Sequence, residues 1–275
     1  MRIIIILWTL ISSMAYGETG LSVEPGSLFI QHVTLGRAYN LYHDLNVPLV
    51  IRHKGDNPRI YCLSTYKPSE IGKLVEGYSD IFDPSWLWFD KNEVSIPPNG
   101  SATVQMYLRV PDEERFYNQH WTVAIKVETK LEPGEMLALG VVSRIHIETE
   151  IKEGIKEKPV GLLGFDHSRV KIEGKGGEVR IFNNDKKKHQ YHFQVFVPPT
   201  DTKHEQISLS PGFNWIPDIG WIKVNHQKIR IGQGKARKIK LQFSPPAGEV
   251  KPWEALLMVH SDEGSAGFVR IQIGE

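Results

Sequence analysis

The chain carries eleven histidines, which makes metal binding the first chemistry to weigh. The closest pair, His189 and His192, lies three positions apart. On a strand that spacing points the rings to opposite faces, whereas a metal ion needs convergent ligands, so the pair predicts no metal site. Asp166-His167-Ser168 holds the residue types of a hydrolase triad. Adjacent residues cannot form the nucleophile-to-base-to-orienter chain among themselves, and a turn or strand start is expected instead. Asp112-Glu113-Glu114 follows Pro111 and precedes Arg115. Acid–base work would need two carboxylates of opposed pKa, and three consecutive acids in a loop read as solvated. Their counterpart in the second half, Ala247-Gly248-Glu249, keeps one acid. Cys62, between Tyr61 and Leu63, reads as an inert thiol within a strand. No nucleotide loop, EF-hand, zinc pattern or nucleophile elbow is present. The sequence therefore predicts a protein that is not an enzyme, with no catalytic residue, no metal and no cofactor.

The elements that would position any site are strands. The dominant period is two, in short runs broken by Gly, Pro, Asn and Asp clusters, and no amphipathic helix is expected. Candidate strands in the first half are 27–34, 47–53, 59–65, 93–96, 102–110, 121–128 and 141–148. In the second half they are 170–173, 178–183, 191–197, 228–231, 235–243, 255–260 and 267–273. The two sets repeat each other. Trp86, Leu87, Val94, Ile96, Val104, Met106, Leu108 and Pro111 recur as Trp221, Ile222, Ile229, Ile231, Ile239, Leu241, Phe243 and Pro246, at a constant offset of 135 (Trp86 to Trp221). Arg144-Ile145-His146-Ile147 recurs as Arg270-Ile271-Gln272-Ile273. A unit this long is a domain. The expected fold is all-β: two tandem immunoglobulin-like seven-strand sandwiches, residues 18–150 and 160–275, joined by a charged linker at 151–159. Pro97-Pro98-Asn99-Gly100 and Gly232-Gln233-Gly234 supply matched turns, and the need for positive φ explains the sequon Asn99-Gly100-Ser101. Lys186-Lys187-Lys188 reads as a solvated hairpin tip. Trp86 and Trp221 are expected to fill the ends of the two cores, leaving no pocket for chemistry.

Residues 1–17 show a basic start, an apolar run from Ile3 to Ile11 and the small-residue pattern Ala15-Tyr16-Gly17, the layout of a secretory signal cut after Gly17. The run is about half the roughly 20 residues a spanning helix needs. The mature chain is thus expected outside the cytoplasm, in the periplasm or at the surface, without an integral membrane segment. Only Gly274-Glu275 follow the last strand, so retention at a surface would be non-covalent. A single cysteine excludes an intrachain disulfide and points to a bacterial envelope protein stabilised by packing. Thirty-three Lys and Arg against 32 Asp and Glu leave no global field for nucleic acid or an anionic membrane. Partner choice must come from local surface, and the expected partner is another envelope or surface protein.

The succession Ser95-Ile96-Pro97-Pro98-Asn99-Gly100, an alternating strand, Val110-Pro111-Asp112-Glu113-Glu114, an aromatic-led strand and Arg144-Ile145-His146-Ile147 resembles the periplasmic pilus-assembly chaperone superfamily. The resemblance covers roughly residues 84–150 and recurs more weakly over 219–275. It implies that the last strand of the first domain, with Leu139, Val141, Ser143, Ile145 and Ile147 on one face, can be lent to a partner's sheet, whereas the residues by themselves read as an ordinary core strand. Ser143 interrupts that apolar row. The resemblance also implies a basic anchor for a partner's terminal carboxylate, for which Arg37 and Arg144 are the nearest candidates. Three readings follow: a non-enzymatic protein-binding or structural module of the envelope, a chaperone acting by β-strand addition, and a carbohydrate-binding module using Trp88, Tyr107 and Tyr117 as a stacking platform.

Overall fold

A computed structural model describes residues 20–72, 74–172, 174, 176–199, 207–245 and 252–274. The signal segment and Pro246 to Glu249 lie outside the described residues. The first half runs through β1 (Gly20–Glu24), β2 (Ser27–Val33), β3 (Tyr39–Asn40), β4 (Leu49–Lys54), β5 (Arg59–Tyr66) and β6 (Ser79–Asp80). It continues with β7 (Leu87–Phe89), β8 (Glu93–Ile96), β9 (Ser101–Val104), β10 (Met106–Leu108), β11 (His120–Thr129) and β12 (Gly140–Thr149). The second half comprises β13 (Leu163–Phe165), β14 (Arg169–Ile172), β15 (Gly176–Asn183), β16 (His189–Phe196) and β17 (Asn214–Trp215). It ends with β18 (Ile222–Val224), β19 (Lys228–Ile231), β20 (Ala236–Phe243), β21 (Trp253–Ser261) and β22 (Ala266–Ile273).

The duplication is topological as well as sequential. One sheet is ordered β2-β12-β11-β5-β8 in the first half and β14-β22-β21-β16-β19 in the second. Short β6 and β17 pair in parallel with the starts of β11 and β21. The opposing sheets are β1-β4-β9 with β3-β10-β7, and β13-β15-β20-β18. Each pair of sheets encloses its own apolar core, as a sandwich requires. Asp83 and Asp218 cap matched single turns, their carboxylates accepting from Ser85 N at 2.9 Å and Gly220 N at 2.8 Å. Those turns deliver Trp86 and Trp221, half-buried, against the two cores.

Two differences from the sequence expectation have local causes. The strand expected over 102–110 is broken at Gln105, whose N–H donates to Asp90 Oδ1 at 2.9 Å in place of a ladder partner. Lys240 N and Asn225 Oδ1 repeat that bond at 3.0 Å in the second half. Short helices also occur, α1 (Leu41–Leu45) and α2 (Pro68–Ile71). Asn40 Oδ1 nucleates α1 by accepting from Tyr42 N and His43 N. Five residues are too few for a 3.6-residue period to be read.

The sandwiches are not held by a linker alone. Tyr78, Ile207, Leu256, Met258 and Phe268 form a third apolar cluster, with Phe29 and Trp215 packed on it. It joins the outward faces of the β12/β11 and β21/β22 ladders. Gly77, at φ +91°, admits this packing, since a Cβ there would lie 2.7 Å from the Phe268 ring.

Candidate functional site

The cross-strand register fixes which side chains of β12 share a face. Val141 lies opposite Val127, Ser143 opposite Ile125, Ile145 opposite Val123 and Ile147 opposite Trp121. All four partners on β11 belong to the core, so this row points inward. Ile147, Ile145 and Ser143 are completely buried, and Ser143 Oγ donates to the Pro25 carbonyl at 2.6 Å. Toward the start of β12 and in the loop before it, the apolar residues leave the core. Val141 is partly buried, Leu139 is 45% exposed and Leu137 89% exposed. Met136, beside them, is 92% exposed. The chemistry implied for one strand is thus divided between a core half and a projecting half.

Backbone pairing divides at the same place. β12 pairs with β11 along its length, but on its other side β2 begins pairing only at Arg144, opposite Ser27. Arg144 N–H donates to the Gly26 carbonyl at 3.1 Å, so alternation aims the amides of Val142 and Gly140 to that same side. Among the described residues no strand pairs with β12 there. The opposite flank of the hairpin is charged and tied down: Arg59 meets Glu135 at 2.6 Å and Lys130 meets Glu93 at 2.8 Å. An edge bearing apolar residues beside a charge-guarded flank is open to an added strand on one side only.

The outward row of β12 does different work. Glu148 takes two hydrogen bonds from Arg270 on β22, at 2.6 and 2.8 Å, and one from Tyr78 Oη at 3.0 Å. Arg270 also reaches Glu254 at 2.5 Å and the Ser208 carbonyl at 2.9 Å, while Gln272 satisfies the second Glu254 oxygen at 2.7 Å. Burial alone would raise the Glu148 carboxyl, but the Arg270 guanidinium holds it below its ordinary range. His120 stacks on Phe268 at 3.8 Å, and burial lowers its pKa to about 4. Burial, aided by Arg144, likewise lowers His146 to about 4.

Both imidazoles have folded pKa values below the unfolded value of about 6.5. The stability they secure as neutral rings is fully present above that value and drains away as pH falls toward 4. Melting temperature is therefore expected to drop between pH 7 and pH 5. His120→Phe, which keeps the stacking and removes the titration, should flatten that slope. An unchanged slope in the variant would show that His120 is not its source.

The other residues singled out in the sequence are dispersed. Arg37 sits between β2 and β3, over the Tyr39 ring and 3.4 Å from Asp44, whereas Arg144 lies mid-β12 beside Gly72. Arg37 is thus on a loop and Arg144 on a strand, each with partners of its own. Trp88 and Tyr107 stack across β7 and β10 at 5.6 Å, with Trp88 39% exposed. Tyr117 is bonded to Asp112 and lies under Lys152, outside that stacked pair. Glu113 pairs with Arg115, and Glu114 accepts from Glu157 N, so the three acids face three different partners. Ser168 is buried, its carbonyl accepting from Arg270 N, and His167 Nε2 donates to the Glu178 carbonyl rather than to Ser168. Cys62 is a half-buried free thiol. His189 is buried and His192 faces the other side of β16, as alternation requires.

The expectation that two sandwiches leave no pocket is corrected: a cleft of about 790 Å³ lies between them, with Ile81, Phe82, Trp121, Leu163 and Phe165 among its walls. Its ionisable groups are engaged locally, Asp80 with Ser69 and Glu76 with His260. Among the described residues no helix is long and apolar enough to cross a membrane.

No protein-family model matches the chain, and no curated protein matches it. Solved structures similar to it include the E. coli chaperone DraB, at 8% identity and TM-score 0.33, covering 94% of this chain and 99% of that one. The periplasmic chaperone SfaE follows at 6% and 0.32, covering 93% and 100%. A protein of unknown function from Porphyromonas gingivalis W83 stands at 9% and 0.36, covering 93% and 99%. Periplasmic pilus chaperones are thus among the solved structures to which the chain is similar.

Proposed function

We propose that this chain is an exported, non-enzymatic protein that holds an envelope or surface protein by β-strand addition along residues 137–142. One observation carries the reading: the inward apolar row of β12 leaves the core at Val141 and is followed, just before the strand, by exposed Leu139 and Leu137, and no described strand pairs with β12 on its free side there. The occupant this edge suits is an extended segment with apolar residues at alternate positions, from a partner whose own sheet lacks a strand. Main-chain hydrogen bonds to Gly140 and Val142 would supply affinity, and the Leu137, Leu139 and Val141 side chains would select alternate apolar residues. The signal-like pattern of residues 1–17 supports the extracytoplasmic part of this reading. A photo-crosslinking residue at position 139 should capture a partner in envelope extracts, and one at Leu162, also apolar and 56% exposed, should not. Equal capture from both positions would overturn the reading.

A further inference from the structure

The tip of the β15–β16 hairpin packs against the β21–β22 turn and assembles a group the sequence spacing did not suggest. His189, whose side chain is 4% exposed, has a carboxylate at each ring nitrogen: Asp185 Oδ2 lies 2.8 Å from Nε2 and Asp262 Oδ1 3.1 Å from Nδ1. Glu263 faces the same place, so that a carboxylate oxygen of Glu263, Asp185 Oδ2 and His189 Nε2 all fall within 4.8 Å of one another. We propose that Asp185, His189 and Glu263 form a binding site for a divalent transition metal of the zinc type, with Asp262 orienting the histidine.

The framework is built before any ion arrives. Asn183, fully buried, donates to the carbonyls of Lys187 and Ile231 at 2.7 and 2.9 Å, and its own oxygen accepts from Asp185 N. This fixes the turn that carries Asp185 four residues before His189. Asp262 Oδ2 accepts from Gln190 N at 3.1 Å, which leaves Oδ1 aimed at Nδ1. A carboxylate that accepts from one ring nitrogen sets the tautomer and turns the other nitrogen's lone pair toward a metal. A neutral ring can then donate to Asp262 alone, and the second carboxylate, 2.8 Å from Nε2, calls for positive charge between them, either a second ring proton or a bound metal ion. Zinc bound at about 2.0–2.1 Å to nitrogen and oxygen donors meets this need and leaves a fourth position for water. A tetrahedral ion at those bond lengths holds two donors about 3.3 Å apart, so the Asp185 carboxylate moves back slightly from its 2.8 Å contact and Glu263, 53% exposed on a turn, comes in by a rotamer change. The Lys187 ammonium, 3.4 Å from Glu263, competes for the same carboxylates.

The test is a calorimetric titration of the untagged, chelator-stripped chain with zinc, and with cobalt for its visible bands. One site per chain is expected, with a melting temperature that rises on zinc addition. Glu263→Gln, on an exposed side chain that no core contact needs, should weaken binding at least about tenfold. His189→Gln should abolish it. Lys187→Met should tighten it by removing the competing charge. No rise in melting temperature with zinc, or equal zinc binding by wild type and Glu263→Gln, would overturn the proposal and leave His189 as a protonated ring between two aspartates.

Discussion

Leu139→Asp is expected to abolish partner capture while leaving the fold intact. Leu139 is 45% exposed at the projecting end of the inward row, so a carboxylate there stays in water in the free protein. Surface changes of this kind shift stability by about 0.5 kcal/mol or less. In the complex the same carboxylate would be buried in the added strand's apolar seam, where loss of a central contact costs about 2–4 kcal/mol, roughly 30- to 1,000-fold in affinity. Leu137→Asp should act in the same direction. Ile145→Asp belongs to the same face but is completely buried and should unfold the first sandwich instead. Hydrogen exchange gives an independent reading. A bound peptide of alternating apolar residues should slow the amides of Gly140 and Val142, which face the open side, and leave those of Leu139 and Val141, which face β11, unchanged. Unaltered partner capture by Leu139→Asp would end the strand-addition reading.

Arg270→Met is expected to destabilise the chain by about 3–5 kcal/mol at neutral pH, because it strands two buried carboxylates. Glu148 and Glu254, one from each sandwich, both depend on that guanidinium. The pH dependence distinguishes this from a simple packing loss. In the wild type Glu148 has a lowered pKa, so its contribution is present above the unfolded carboxyl value and is lost as pH falls through the folded one. Without Arg270, burial dominates and raises the carboxyl, so the folded variant takes up a proton readily and loses stability as pH rises. Urea melts at pH 7.5 and 4.5 should therefore show the gap between wild type and variant shrinking at the lower pH. A constant gap would mean that the guanidinium acts by packing alone.

The duplication was legible in the sequence because a sandwich core is read by alternation. Val104, Met106 and Leu108 and their counterparts Ile239, Leu241 and Phe243 are buried on one face of matched strands. The two capped turns before Trp86 and Trp221 keep the same offset. The interface between the halves was not read, and the reason lies in the same alternation. Period two separates an inward from an outward face but does not say what covers the outward one. His146, Glu148, Glu254 and Arg270 fall at outward positions, which read as solvated, yet each is buried, and Glu148 and Arg270 meet across the two sandwiches. A signal was present in Ala255-Leu256-Leu257-Met258-Val259, a continuous apolar run on β21 that marks a strand covered on both faces.

By itself the sequence determined the all-β class, the repeat, the places of most strands and the inward row of β12, since each follows from local periodicity and turn chemistry. Only the tertiary structure decided where that row leaves the core, which carboxylates share Arg270, and that Asp185, His189 and Glu263 meet. Those facts depend on pairings between residues from 16 to 122 positions apart in the Arg270 network alone, and no local pattern encodes contacts closed over such distances.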